Sequence, residues 1–196
     1  VHGLASLCVG VLFRFYKAKE WKKAPSSAGP ITACRFSEAF TGAVGGAVNS
    51  TLSICAFVIT FTVILRLCFL SGLLPALASL LGRLLAPLGF TQVWAQRLLT
   101  GVLELSSGVW TLTGEGSLTG RAAMAAFLLG WAGVSVHCQV LSFLGRSGLN
   151  VGNYILGKLL HGVISAGLTA WLFRALGMEQ TVSAYLADQV SGIAGV

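Results

Sequence analysis

Two stretches carry residues whose chemistry needs an explanation. Glu104-Leu105-Ser106-Ser107-Gly108 sets a carboxylate beside two hydroxyls, and Gly130-Trp131-Ala132-Gly133-Val134-Ser135-Val136-His137-Cys138-Gln139 follows two glycines with a polar cluster. Both stand inside long apolar runs, where an ionisable side chain costs about 2.5–3.5 kcal/mol on the insertion scale and so faces a cavity or a partner. Glu104, Ser106, Ser107, Ser135, His137 and Gln139 are therefore candidate substrate-binding residues. Donors and acceptors of these types suit a pocket near the bilayer midplane, where the ends of broken helices add backbone groups. The plainer reading is a packing network in which Glu104 pairs with His137 or with an arginine. Asn49 and Ser50 join the candidates. Asn49 ranks first, because the neighbouring Ser and Thr hydroxyls can return to the preceding turn of their own helix. Lys158 and His161, three residues apart, share a helix face. The lysine is expected to snorkel to the surface, and the histidine to make an interhelical hydrogen bond.

Other chemistries have no matching pattern. The chain holds no GxxxxGK[ST], no GxGxxG, no HExxH and no GxSxG. Ser135 and His137 are two apart, so on a helix they do not face each other as nucleophile and base. The three histidines, His2, His137 and His161, sit in separate segments without ligand spacing. The five cysteines, Cys8, Cys34, Cys55, Cys68 and Cys138, show no CxxC spacing and read as small core residues. No catalytic residue, metal or cofactor is expected. The net charge of +7 does not point to nucleic acid, because the basic residues gather at segment ends rather than in a patch with interleaved aromatics.

The elements that must position these groups are membrane helices. With 55% hydrophobic and 10% charged residues and a mean hydropathy of +0.83, the chain is far from the roughly 25% charged residues of a soluble domain. Apolar runs over residues 44–70, 98–112, 122–144 and 155–176 predict an all-α, polytopic membrane protein of about four or five segments, and the lipid bilayer is its first partner. A membrane barrel would instead alternate polar and apolar residues over segments of about ten. Residues 1–16 read as the end of a membrane helix, and the absence of an initiator Met suggests a fragment. Residues 17–35 read as a loop. Arg14, Lys17, Lys19, Lys22, Lys23 and Arg35 are opposed there by Glu20 alone, which places the loop in the cytoplasm. The transmembrane domain spans 36–176, with Ser37 as its expected first N-cap, and 177–196 form a tail. The segment 72–89 suits an interfacial helix with Arg83 and Arg97 at headgroups, or one arm of a re-entrant hairpin. The glycines at 130 and 133 predict a helix break.

Phe36-Ser37-Glu38-Ala39-Phe40, Ala47-Val48-Asn49-Ser50-Thr51-Leu52, Leu99-Thr100-Gly101-Val102-Leu103-Glu104-Leu105-Ser106-Ser107-Gly108, Gly133-Val134-Ser135-Val136-His137-Cys138-Gln139-Val140 and Lys158-Leu159-Leu160-His161-Gly162 follow in one order across nearly the whole chain. Together they resemble the C-terminal half of the YlbJ (SpoVV) family of sporulation integral membrane proteins, in the nucleoside-recognition Gate group. The resemblance implies broken or re-entrant helices, one half of an inverted-repeat transporter, and a missing N-terminal half as partner. It implies a multi-pass protein of the outer forespore membrane that moves dipicolinic acid into the forespore. A nucleoside-type transporter or a non-transport scaffold for spore maturation are the alternatives, and homo-oligomerisation is left open. Dipicolinate is a planar dianion, so a nearby Glu104 would repel it unless protonated, paired or bridged by a cation.

Overall fold

The computed structural model describes residues 1–15, 35–113, 116–144 and 150–178. The basic loop, apart from Arg35, and the tail beyond Met178 lie outside the described residues. The long apolar runs form helices, as their continuity requires, and no strand occurs among the described residues. In chain order these are α1 (His2–Phe13), α2 (Phe36–Leu70), α3 (Leu73–Leu84), α4 (Gln92–Leu103), α5 (Leu105–Trp110), α6 (Leu118–Trp131), α7 (Gly133–Leu144) and α8 (Val151–Ala175), with a 3-10 turn at Ala86–Leu88. Among the described residues three stretches are long and apolar enough to cross a membrane: Phe36–Leu70, Leu118–Leu141 and Val151–Ala175. The chain is thus an all-α, polytopic integral membrane protein.

Side-chain caps set several helix starts. Thr91 accepts from the Trp94 amide, Ser117 from the Gly120 amide, and Asn150 from the Asn153 amide. Helix α2 starts otherwise. Its boundary is Arg35, whose extended backbone precedes the first turn, and no side chain caps it. Ser37, the expected cap, lies inside the helix, and its carbonyl accepts from the Thr41 hydroxyl at 2.8 Å.

The most extensive packing joins α6 to α8. Gly130 meets Gly162 there so closely that a Cβ on Gly130 would stand 2.6 Å from the Gly162 Cα, an approach that only small residues permit. Leu112, Met124 and Leu128 form the buried core beside this pair, with Trp94, Leu98 and Phe127 packed on them. Helix α1 lies along α8. Helices α3 and α4 form a hairpin, in which Gly82 backs onto the Gln92 backbone. This packing gives residues 72–89 a partner arm in α4. Arg83 is exposed, but Arg97 is buried, with its guanidinium 4.9 Å from the centroid of the Trp94 ring. The expectation that both arginines reach headgroups therefore fails for Arg97, which an aromatic face holds inside.

Two helices are interrupted. Helix α5 folds back on α4, and Gly108 seats directly against the Gly101 backbone. Helices α6 and α7 are divided at Ala132 and Gly133, which both adopt left-handed backbone, φ 80° and 79°. The break stands where the glycine spacing predicts it. Helix α2, roughly 52 Å long at 1.5 Å per residue, leaves every residue from Arg35 to Ala56 exposed and packs only through its later half.

Candidate functional site

The site grows from the meeting of these interruptions. Glu104 has an extended backbone, φ −140° and ψ 121°, which ends α4 and starts α5. Its carboxylate turns onto the new helix: Oε1 accepts the Ser106 amide at 2.9 Å and Oε2 the Ser107 amide at 2.6 Å. A negative charge at a helix N-terminus meets orphan N–H groups and the positive end of the dipole. At 1% exposure, Glu104 is a buried cap. Neither His137 nor an arginine of the described residues is its partner, so the paired packing network expected for it is not what holds it. Ser106 and Ser107 contribute backbone amides to this arrangement; the Ser106 side chain is exposed and that of Ser107 half-buried.

The tip of the α4–α5 hairpin touches the α6–α7 break. A Cβ on Gly133 would lie 3.0 Å from the Leu105 nitrogen and 3.3 Å from the Gly101 carbonyl oxygen, so glycine is required here both for its φ and for the space. The Trp131 indole N–H donates to the Val102 carbonyl at 3.2 Å and ties the same two elements.

Two buried polar atoms beside the break have no partner. Ser135 is fully buried and its Oγ makes no hydrogen bond. His137 is 4% exposed; its Nδ1 lies 3.0 Å from the Tyr154 hydroxyl, and its Nε2 is unpartnered. The Trp131 ring stands edge-on to the imidazole, with centroids 4.4 Å apart. Gln139 is half-buried, four residues after Ser135 and hence on its face of α7. Buried polar atoms are hydrogen-bonded as a rule. Orphaned atoms at a helix break are thus what a bound polar solute would satisfy.

Asn49 and Ser50 stand apart from this centre. Both are exposed on the bare half of α2. The next hydroxyl, Thr51, returns to the Ala47 carbonyl at 2.9 Å, as short polar side chains on helices do. A second polar group, of which sequence reasoning assembled only Lys158 and His161, joins His2 and His137 to α8. His2 Nδ1 lies 3.4 Å from His161 Nε2 and 3.2 Å from Ser165 Oγ, while Tyr154 meets His137. The available signal was the 4-3-4 spacing of Tyr154, Lys158, His161 and Ser165, which makes one stripe on a helix. No group of three or more His, Cys, Asp or Glu among the described residues has the arrangement of a metal site. A cleft of about 730 Å³ lies elsewhere, among α4, α6 and α8, lined mainly by apolar side chains such as Trp94, Met124 and Phe127. None of the candidate residues lines it.

The chain is similar to the sporulation integral membrane protein YlbJ of Bacillus subtilis (strain 168), with 27% identity over 135 residues, 68% of this chain and 33% of that protein. It spans about a third of the length of the curated relative it matches. No family model matches the chain, and no solved structure matches it.

Proposed function

We propose that this chain belongs to a sporulation membrane transporter for a small anionic metabolite, with dipicolinic acid as the first candidate and the outer forespore membrane as its place. The observation that carries the reading is the contact between the Glu104 hairpin tip and the Ala132–Gly133 break, beside the unpartnered Ser135 Oγ and His137 Nε2. Discontinuous helices with unsatisfied polar groups inside an apolar bundle are how secondary transporters build substrate sites. The similarity to a protein named for sporulation supports the process. A transporter also fits better than an enzyme. Ser135, two residues from His137, has no base in hydrogen-bonding contact.

The test is uptake of labelled dipicolinate, with uridine in parallel, by vesicles holding the protein in verified orientation. Dipicolinate accumulation that falls about tenfold or more in His137→Ala, with insertion unchanged, is the expected result. Uridine uptake in its place would make the protein a nucleoside-type carrier. Correct insertion without movement of either solute would overturn transport and favour a scaffold.

A further inference from the structure

The stripe on α8 supplies what the break alone lacks, namely positive charge. Glu38 and Glu104 are the acidic side chains among the described residues. Glu104 is engaged as a cap, and Glu38 lies on the first turn of α2. Lys158 is half-buried in a span and forms no ion pair with either. It stands one helical turn after Tyr154, whose hydroxyl lies 3.0 Å from His137 Nδ1, and one turn before His161, on the same face of α8. Around it, helices α1, α7 and α8 bring His2, His137, Tyr154 and His161 together, while the charged residues that α1 and α6 add are Arg14 and Arg121, both basic. The surroundings are thus cationic or neutral apart from the capped Glu104. A lysine in an apolar span needs either water or an anion, and no described protein group supplies the anion.

Resting on the transport reading, we infer that Lys158 and the Nε2 side of His137 form the anion-binding half of the substrate site and receive a carboxylate of the solute. A neutral imidazole carries one N–H and one acceptor nitrogen. When the Tyr154 hydroxyl donates to Nδ1, the proton of His137 sits on Nε2, and this is the buried nitrogen without a partner. It then points an unused N–H at the same solute that Lys158 attracts. The edge-on Trp131 indole gives the neighbouring wall an apolar surface, suited to a planar ring. This arrangement also relieves the difficulty of Glu104. Its charge is committed to the Ser106 and Ser107 amides, and the solute's charge is met from another helix.

Titration calorimetry of the whole protein in lipid nanodiscs, with dipicolinate and separately with uridine as probes, tests the assignment. Lys158→Gln should weaken dipicolinate binding about tenfold or more, and Lys158→Arg should keep it within about threefold. Tyr154→Phe, which frees Nδ1 without touching charge, should give a smaller loss. Arg83→Gln, at an exposed position of α3, should change nothing. A Lys158→Gln protein that binds and transports dipicolinate like the unaltered one would overturn this inference, showing a snorkelling lysine, while leaving the transport reading intact. Unaltered protein that binds uridine but not dipicolinate would overturn both the anion site and the anionic substrate.

Discussion

Replacing Glu104 by alanine removes both acceptors from the first turn of α5 and leaves the Ser106 and Ser107 amides without their carboxylate partner. Loss of an N-cap typically lowers stability by about 1–2 kcal/mol. Glu104→Ala should therefore melt at lower temperature in detergent, whereas Glu104→Gln, which keeps one carbonyl oxygen, should fall between it and the parent. An unchanged melting curve for the alanine variant would show that the cap contributes nothing. Tyr154→Phe is a milder change. It removes one interhelical hydrogen bond, which in membrane proteins contributes roughly 0.6 kcal/mol on average, and the same melting assay should show a small loss. At this scale the sequence was only partly readable. A mid-span carboxylate reads equally as ligand, ion pair or cap, because the residue type is the same in each case and only backbone geometry separates them. His137 was legible as a polar group inside an apolar run; its partner Tyr154, seventeen residues on in another helix, was not.

Helices α6 and α7 are divided by two consecutive residues with the same left-handed backbone but different side chains, and this makes opposite predictions for neighbours. Ala132 has φ 80° with a Cβ, a conformation that disfavours L-residues by about 1 kcal/mol. Ala132→Gly should raise the melting temperature or leave it unchanged. Gly133→Ala should lower it, because the added Cβ meets both the left-handed φ and the Leu105 nitrogen at 3.0 Å. If Gly133→Ala were neutral, the contact between hairpin tip and break would not be tight in solution. The break could be read from the sequence, since glycines ahead of a polar cluster in an apolar run leave few other arrangements. The fold-back of α5 could not. Residues 98–112 carry the hydropathy of one continuous segment, and the reversal depends on Gly108 settling against Gly101, a tertiary contact that hydropathy does not encode.

The bundle as a whole is unevenly clothed. Only 6% of the most apolar window of α2 is buried, so its surface is left for lipid or for other protein. Asn49 and Ser50 lie exposed on that bare half, whereas Ser135 is buried beside the break, a difference in packing that residue type does not encode. Orientation in the membrane is a prediction from charge. Six basic residues from Arg14 to Arg35, opposed by Glu20, predict a cytoplasmic connection between α1 and α2, since a positive flank is retained there during insertion. Cys34 provides a native reporter in that connection. A variant in which Cys8, Cys55, Cys68 and Cys138 are replaced by serine or alanine should react with a membrane-impermeant maleimide in inside-out vesicles and stay unlabelled in intact cells. The reverse pattern would invert the protein and with it the side from which a solute reaches the hairpin tip. Replacing Lys17, Lys19, Lys22 and Lys23 together by glutamine should weaken the asymmetry of labelling, because the charge bias itself sets the orientation.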